Sequence, residues 1–474
     1  WTAPADAAYE FLARLFDGDR PYPLNREMAP PHEGIDTQFV VGTPRATPLE
    51  AWTDAPYALD RGTRRAERAM AVSGDAAVWF ENSLEKVFRQ DVPSPTGALQ
   101  PRVRVSLARN ERESFQVVMR PAEGKALTNV SFRVSDLVGP GGAKIPASNV
   151  KIYNVRYYNV RIPSHFEGPT GDWPDALLPF EPLTVRGGET TPVWFTLYAP
   201  TGIPAGTYTG TLEMDTEELG LVELWIEAQV FDFDLPPTPA LKTDFGFWRD
   251  AAVQWARHLG YKGSEDALIA AYLDNALEHR VTLRQAAEFP AESADYAAAL
   301  RAYEPRLREL LARGATTFAV PPSLLEVPDQ LKLANRFVVE HNLQDRVFCP
   351  IAENPPPPAW PRLSQRMQNW KTAAPDIPMM VTSSGLEPYL PDAGGIWAVH
   401  LQMMDTLNNQ PILQRMKEGG TVWTFVNGFP PRPYANLFID FTSVEHRMLF
   451  WQVWALGMSG LHYWSVNYIE PGEN

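Results

Sequence analysis

The segment FDFDLPPTPA (Phe231–Ala240) divides the sequence into two regions with different hydrophobic patterns. It ends the last of a series of short alternating runs, and its three prolines are typical of a stiff linker. A chain of 474 residues exceeds what one hydrophobic core usually supports. We therefore predict an N-terminal appendage of residues 1–74, a domain of residues 75–238 and a second domain of residues 239–474.

The region before the linker consists of short apolar runs separated by Gly and Pro turns. The clearest alternating runs are VRVSL, SFQVVMR, VSFRVSDL, KIYNVRYYNV, TPVWFTLYA and GTYTGTLEM. Successive side chains of a β-strand point to opposite faces, so this period-two alternation predicts an antiparallel β-sandwich. The appendage differs, because it combines a proline-rich stretch with a short amphipathic helix whose apolar positions are Tyr9, Phe11, Leu12, Leu15 and Phe16.

After the linker, strand-sized apolar segments alternate with helical segments. The eight predicted strands are Thr243–Phe247, Val281–Leu283, Thr316–Val320, Arg346–Ile351, Pro378–Thr382, Ile396–His400, Val422–Val426 and Leu461–Val466. Repeated βα units predict a parallel sheet, and eight of them predict a (β/α)8 barrel of the TIM type. The last strand ends near Ile469 with no closing helix after it, so we expect the protein to continue beyond Asn474.

Composition and charge argue against several classes of partner. The net charge of −15, with no cluster of Lys or Arg to reverse it locally, opposes binding to nucleic acid. The apolar runs are far shorter than the roughly 20 residues of a membrane-spanning helix, so we expect no membrane span. Cys349 is the single cysteine of the sequence, which excludes an internal disulfide and a cysteine-based metal cluster.

Motifs for metal and cofactor chemistry are absent from the sequence. It contains no HExxH, no CxxC, no GxxxxGK[ST], no GxSxG and no GxGxxG after a strand, so we expect neither a metal nor a cofactor. The sequence begins at Trp1, without a methionine or a signal peptide, which fits a processed chain. We therefore expect a bacterial protein that is secreted or held at the cell surface.

Polar and aromatic residues follow the predicted strands, where a barrel of this type carries its reactive groups. Those that we predict to bind substrate are Trp248, Asn427, Trp464, Asn467 and Tyr468. Flat aromatic rings stack on sugar faces, and amides bind hydroxyl groups. The sequence therefore predicts a carbohydrate partner, either an oligosaccharide or a polysaccharide.

Several longer stretches resemble glycoside hydrolase family 123 and its bacterial relatives. They are VWFENSLEKVF (Val78–Phe88), ARNERESFQVV (Ala108–Val118), PDALLP (Pro174–Pro179), PAGTYTGTL (Pro204–Leu212), LEHRVT (Leu277–Thr282), PYANLFID (Pro433–Asp440) and HRMLFWQVWALGMSGLHYWSVN (His446–Asn467). The resemblance covers roughly residues 78–469 and implies a β-sandwich followed by a (β/α)8 barrel. Family members of known activity are retaining β-N-acetylgalactosaminidases.

The resemblance also implies a catalytic pair after the fourth strand. In such substrate-assisted enzymes an adjacent Asp-Glu pair works there: the Glu protonates the leaving oxygen, and the Asp orients the substrate's own 2-acetamido group as nucleophile. This sequence has PIAENPPPP (Pro350–Pro358) at that place. In one register Glu353 takes the Asp position and Asn354 the acid position. In the other, Glu353 is the acid and Ala352 replaces the Asp.

Three hypotheses follow from this altered pair. The first is a glycoside hydrolase in which Glu353 and Asn354 occupy the catalytic positions. The second is a non-catalytic extracellular protein that binds carbohydrate or takes part in surface assembly on the same fold. The third is an active enzyme that pairs Glu353 with another carboxylate. The candidates for that partner are Glu387, Asp250 and Glu288.

Overall fold

The computed structural model describes residues 65–66, 69–73, 75–93, 101–164, 169–258, 260–383, 395–405 and 409–467. The predicted helix near Tyr9 lies outside these residues, as do Glu387 and Tyr468. The chain forms two compact units. The β-rich unit contains the described residues up to 236 together with Leu437–Arg447, and the α/β unit contains 237–436 and 448–467. We describe each unit by itself.

The β-rich unit is built from β-strands of two to fifteen residues. They are β1 Arg65–Ala66, β2 Ala69–Ser73, β3 Ala76–Asn82, β4 Val92–Pro93, β5 Arg102–Arg109, β6 Glu111–Pro121, β7 Ala126–Val134, β8 Leu137–Val138, β9 Lys144–Ile145, β10 Val150–Val160, β11 Gly171–Pro179, β12 Leu183–Arg186, β13 Thr191–Ala199, β14 Gly206–Thr216 and β15 Gly220–Asp234. Strands β1 and β2 both belong to the segment 1–74, which was predicted to be an appendage.

Two sheets of this unit share one hydrophobic core. One has the order β11-β10-β13-β6-β3-β2 and is antiparallel throughout. The other has the order β12-β7-β14-β15-β5, with β8 paired to β14 and β9 paired to β8. Phe195 of the first sheet and Phe132 of the second are both buried, with ring centroids 5.2 Å apart. The antiparallel prediction is wrong for two pairs of this unit, because β15 runs parallel to β5 and the short β1 runs parallel to β4. Alternation reports which face a side chain occupies and not the direction of the neighbouring strand.

The α/β unit contains a curled parallel sheet. Its strands are β16 Lys242–Phe245, β17 Phe318–Ala319, β18 Val347–Glu353, β19 Met379–Ser383, β20 Ile396–Val399, β21 Val422–Val426 and β22 Gly460–Tyr463. The sheet order is β16-β22-β21-β20-β19-β18-β17, and every neighbouring pair is parallel. Seven of the eight predicted strands are therefore present as strands, and the remaining segment, 281–283, contributes a single parallel bridge between Leu283 and Phe245.

Helices connect most of these strands. The α-helices in the described part of the chain are α1 Arg249–His258, α2 Glu265–Glu278, α3 Arg284–Ala287, α4 Tyr296–Ala312, α5 Pro328–Glu340, α6 Trp360–Ala373, α7 Gln410–Lys417 and α8 Ser443–Ala455. Ser264 and Asp295 cap α2 and α4, each accepting a hydrogen bond from a backbone N–H of the first turn. Of the helices described, none has the length and apolar character needed to span a membrane.

Buried threonines link the two edges of the curled sheet. The backbone N–H of Thr243 donates to the hydroxyl of Thr316 at 3.0 Å, that of Thr316 to Thr282 at 2.9 Å, and that of Thr282 to Thr243 at 3.0 Å. Thr243 lies on edge strand β16, and Thr316 precedes edge strand β17. The segment 281–283 therefore lies between the two edges and is bonded to both.

An apolar cluster fills the inner face of the curl. It contains residues of β17 to β21 and no helix residue: Ala319, Phe348, Met380, Ile396, Ala398, Trp423 and Phe425. Gly460 of β22 leaves room for this packing, because a Cβ at that position would lie 2.4 Å from the ring of Trp423. These residues identify the inward-facing positions of strands β17 to β21.

The end of β16 requires a glycine at position 246. The N–H of Gly246 donates to the carbonyl of Tyr463 at 2.7 Å, and its carbonyl accepts from the N–H of Val466 at 2.9 Å. A Cβ built on Gly246 would lie 1.8 Å from the carbonyl oxygen of Trp464. The extensions of β16 and β22 can approach this closely only because the side chain is absent.

We predict that Gly246→Ala destabilises the protein by at least about 1–3 kcal/mol, because the backbone of residues 463–466 must move to accept the methyl group. Urea unfolding monitored by tryptophan fluorescence measures the change. Gly428→Ala is the matched control, since a Cβ there would meet nothing within 4 Å. Equal unfolding midpoints for the two variants would contradict the prediction.

Candidate functional site

The inward-facing positions at the carboxyl end of the sheet carry polar side chains. On β19, Thr382 follows the inward-facing Met380 by two residues and shares its face, and Glu353 of β18 lies opposite Thr382. On the other side of the curl, His462 of β22 pairs with the inward-facing Phe425 and with Asp244 of β16. Asp244, His462 and Glu353 therefore share the inner face at the edge where the strands end.

A β-bulge in β18 directs Glu353 inward. The register of β18 against β19 shifts between Pro350 and Ala352. Strict alternation from the inward-facing Phe348 would have placed Ala352 on the inner face and Glu353 on the outer one. The extra residue of the bulge reverses this, so the carboxylate points into the curl.

Arg284 joins these groups into one network. It begins α3, directly after 281–283, and its side chain is buried. Its Nε lies 3.0 Å from both carboxylate oxygens of Asp244, its NH2 donates to Asp244 Oδ2 at 2.5 Å, and its NH1 donates to Glu353 Oε1 at 3.2 Å. The guanidinium thus bridges a fully buried carboxylate and one whose side chain is 48% exposed.

His462 completes the buried part of the network. Its Nδ1 lies 2.8 Å from Asp244 Oδ2 and 3.1 Å from the Asp244 carbonyl oxygen. Burial alone would raise the pKa of Asp244, but Arg284 and then His462 stabilise the carboxylate more strongly, so this pKa lies well below its usual range. The pKa of Arg284 is raised, because Asp244 and Glu353 outweigh the effect of burial. Asp244 and Arg284 therefore form a buried ion pair, with Arg284 NH2 and Asp244 Oδ2 2.5 Å apart.

Glu288 is a second carboxyl group beside this network. It is the C-cap residue of α3, the helix that begins with Arg284, and its side chain is half-buried. Burial raises the pKa of Glu288 to about 7, with Arg284 opposing the shift and Asp244 adding to it. No hydrogen bond joins its side chain to another residue of the described part of the chain. Glu288 is thus a carboxyl that holds a proton near neutral pH.

His400 follows β20 on the inner face. Its ring centroid lies 3.9 Å from that of Phe425, and only 1% of the residue is exposed. Burial lowers the pKa of His400 to about 4, with Asn427 opposing the shift, so the imidazole is neutral at physiological pH. Neither ring nitrogen has a hydrogen-bond partner of normal geometry among the described residues.

Trp248 and Trp464 lie together after the ends of β16 and β22. Their ring centroids are 5.7 Å apart, with the rings nearly perpendicular, and Trp248 is 43% exposed. Tyr463 instead contacts Phe245, on the opposite face of the same two strands. Trp464, which directly follows β22, therefore packs against Trp248 and not against Phe245.

Two predicted hydroxyl-binding amides have structural roles. The side chain of Asn467 accepts from the backbone N–H of Trp248 at 2.8 Å and donates to the Trp248 carbonyl at 2.9 Å. Asn427 accepts from the N–H of Phe429 at 2.9 Å, which closes a tight turn. Asn467 therefore positions Trp248, and Asn427 shapes the loop after β21.

Asn354 follows Glu353 at the end of β18 and is exposed. Its backbone has a positive φ of 41°, a conformation that asparagine tolerates better than most residues. Its backbone N–H donates to the Thr382 hydroxyl at 3.0 Å. This left-handed backbone conformation ends β18 and turns the chain at Asn354.

The sequence analysis missed Asp244, Arg284 and His462. Asp244 and His462 each occur inside an otherwise apolar strand, within KTDF and GLHY. A charged residue at an inward-facing strand position is the signal that could have identified them. Within the described ranges, no group of three or more His, Cys, Asp or Glu side chains could hold a metal ion.

We predict that Asp244→Asn destabilises the protein by about 3–5 kcal/mol, because it leaves the buried Arg284 without its main counter-charge. Urea unfolding with linear extrapolation measures the change. Asp250→Asn is the control: Asp250 is exposed in the first turn of α1, and its loss should cost less than about 1 kcal/mol. A cost for Asp244→Asn no larger than that of the control would refute the proposed importance of the ion pair.

Comparison with known proteins identifies the family. Residues 82–216 match the glycoside hydrolase 123 N-terminal domain, and residues 327–471 match the glycoside hydrolase 123 catalytic domain. The fold is similar to that of a family 123 glycoside hydrolase from Clostridium perfringens, studied for glycolipid glycan hydrolysis. That match has a TM-score of 0.61 at 12% sequence identity and covers 82% of this chain and 78% of that chain.

Other comparisons add nothing to this assignment. A GH5 xyloglucanase from Bacteroides ovatus matches with a TM-score of 0.27 and 9% identity over 77% of this chain and 92% of that chain, which is too weak to support an argument. A search of curated protein sequences gave no match. Both regions of the chain nevertheless match domains of one family in the same order, and the chain is therefore a glycoside hydrolase family 123-like protein.

Proposed function

We propose that the chain is a glycoside hydrolase that cleaves its carbohydrate substrate at the carboxyl end of the curled sheet, with Glu353 as the principal carboxylate. The observation that carries this proposal is the bulge in β18, which turns Glu353 to the inner face and within 3.2 Å of Arg284. An inward-facing carboxylate held by a buried arginine has a defined position and remains partly accessible to a ligand.

The proposal includes a complete (β/α)8 barrel. Segment 281–283 would be its second strand, since it bridges to β16 and is bonded to Thr316 ahead of β17. In such a barrel the ends of the strands form the active-site face. Asp244, Arg284, Glu353, His400 and His462 would then all line one mouth.

Of the two registers for the catalytic pair, we propose the one in which Glu353 takes the Asp position. Glu353 Oε1 accepts a hydrogen bond from the buried Arg284 at 3.2 Å, and a carboxylate held in this way suits a group that orients or polarises the substrate. Asn354 then takes the acid position, and its amide cannot donate the proton that the leaving oxygen requires. An active enzyme therefore needs a proton donor elsewhere in the site.

The substrate would also contact the aromatic pair that follows β16 and β22. Trp464 and the half-exposed Trp248 present ring surface near the end of β22, and Asn467 holds the backbone of Trp248 in place. The neutral imidazole of His400 has unused hydrogen-bonding capacity on the same face. N-acetylhexosaminides are the first substrates to test, by analogy with the family, and glycolipid glycans are the second.

A second candidate function is carbohydrate binding without catalysis. The amide of Asn354 at the acid position favours it, because the same fold could bind sugar after losing the proton donor. The two candidates differ in what happens to substrate, since a binding protein releases the sugar unchanged. Both predict that sugar affinity depends on Trp464.

We predict that the purified protein hydrolyses at least one aryl glycoside and that Glu353→Gln lowers kcat/KM on the order of 10²–10³-fold, the usual effect of losing a group that stabilises the transition state electrostatically. Stability should change little, because glutamine keeps an acceptor for Arg284. Glu340→Gln, on the exposed end of α5, is the matched control. Hydrolysis that survives Glu353→Gln would refute the role of Glu353, and a wild-type protein inactive on every substrate would favour the binding function.

We predict that Trp464→Ala weakens sugar binding about tenfold or more, which corresponds to about 1.4 kcal/mol of lost contact. Isothermal titration calorimetry on the Glu353→Gln background measures affinity without turnover. Trp454→Ala serves as control, because Trp454 is 70% exposed on α8 and away from the strand ends. Equal affinities for the two variants would exclude Trp464 from the sugar site.

A further inference from the structure

We propose that Glu288 is the proton donor of this site, in place of the carboxyl that the family's catalytic pair would supply. This inference rests on the proposed glycoside hydrolase function. It assigns to Glu288 the protonation of the leaving oxygen, which the amide of Asn354 cannot perform. The leaving oxygen of a glycoside is a poor leaving group unless it is protonated as the bond breaks. Glu353 is bonded to Arg284, so a second carboxyl is required.

The position of Glu288 follows from α3. The helix begins with Arg284, whose guanidinium reaches Glu353 and Asp244, and Glu288 is its C-cap residue, one turn further along the chain. The hydroxyl of Tyr303 donates to the Ala287 carbonyl at 2.9 Å, and the N–H of Phe289 donates to the Ala319 carbonyl at 2.9 Å. The backbone on both sides of Glu288 is thus fixed at the carboxyl end of the sheet.

The surroundings of Glu288 keep it protonated near neutral pH. Ala287 and Phe289, its chain neighbours, are buried. The groups that interact with it electrostatically are Arg284 from α3, Asp244 from β16, Tyr303 from α4 and Cys349 from β18. Arg284 is already engaged by Asp244 and Glu353, so it compensates the burial of Glu288 only in part. A half-buried carboxyl without a hydrogen-bond partner in the described residues is what a general acid requires.

Asp250, another candidate carboxylate, is less suited to this role. Asp250 lies in the first turn of α1 and is exposed, so its environment resembles water. Glu387 lies outside the described residues. Of the two candidates within the described residues, Glu288 is the half-buried one, and it interacts with the arginine that holds Glu353.

The proposed step is a simple proton transfer coupled to bond cleavage. As the bond between the anomeric carbon and the glycosidic oxygen breaks, its electron pair goes to that oxygen, which takes the proton of the Glu288 carboxyl. A water molecule then supplies hydroxyl to the anomeric carbon and its remaining proton to a carboxylate of the site. The sum is hydrolysis, and no oxidant, metal or further reactant is needed.

The test compares two leaving groups in the full chain. A dinitrophenyl glycoside leaves without protonation, whereas a methylumbelliferyl glycoside of the same sugar requires the acid. We expect Glu288→Gln to lower kcat/KM on the methylumbelliferyl glycoside on the order of 10²-fold or more and on the dinitrophenyl glycoside less than about tenfold. Glu288→Asp should recover part of the lost rate, and Glu340→Gln should leave both rates unchanged.

The pH profile gives an independent readout. Because the acid must be protonated, wild-type kcat/KM on the methylumbelliferyl glycoside should fall as pH rises through about 7. This fall in kcat/KM should be absent when the wild-type protein acts on the dinitrophenyl glycoside. It should also be absent in the Glu288→Gln variant. A merely structural role for Glu288 would not produce this pattern, since misfolding slows both substrates at every pH.

A failure of the Glu288 assignment can be distinguished from a failure of the proposed glycosidase function. Equal losses on the two substrates in a folded Glu288→Gln variant, or no loss on either, would overturn the assignment of Glu288 while leaving the glycosidase function intact. A wild-type protein that is inactive even on dinitrophenyl glycosides would overturn the proposed function and the proton donor with it. Circular dichroism and the unfolding midpoint establish that the variant is folded.

Discussion

The buried guanidinium of Arg284 is the group around which the inner face of the α/β unit is organised. A charge taken out of water costs several kcal/mol unless a counter-charge and hydrogen bonds replace the lost hydration. Asp244 supplies the counter-charge through three contacts of 2.5–3.0 Å, and Glu353 occupies a remaining donor at 3.2 Å. The position of the partly exposed Glu353 carboxylate is therefore determined by the buried pair of Asp244 and Arg284.

Backbone irregularities bring these side chains together. The bulge in β18 moves Glu353 from the outer to the inner face, and Gly246 allows the extensions of β16 and β22 to touch. Through that contact Asn467 reaches the backbone of Trp248 and holds the tryptophan beside Trp464. The bulge interrupts the regular pairing of β18 with β19, and the close approach at Gly246 joins the segments that follow β16 and β22.

The carboxyl groups of Asp244 and Glu288 differ in their protonation state at neutral pH. Asp244 is ionised because Arg284 and His462 outweigh its burial, whereas Glu288 retains its proton to about pH 7 because no comparable partner offsets its burial. Environments that drive neighbouring carboxyls in opposite directions are how one fold provides both a charged group and an acid at the same pH. In this site the difference arises from Arg284, which donates hydrogen bonds to Asp244 and Glu353 and only partly offsets the burial of Glu288.

The sequence by itself determined the family, the strand-rich first region and the order of strands and helices in the second, because side-chain alternation and helical periodicity are local properties. It also placed Glu353 at the end of a buried strand. Only the tertiary structure decided that β5 pairs parallel with β15, that Asn467 holds Trp248 and that Asp244, Arg284 and His462 meet. These contacts join residues 40 to 219 positions apart, and their partners are set by sheet register and curvature, which hydrophobic pattern alone does not encode.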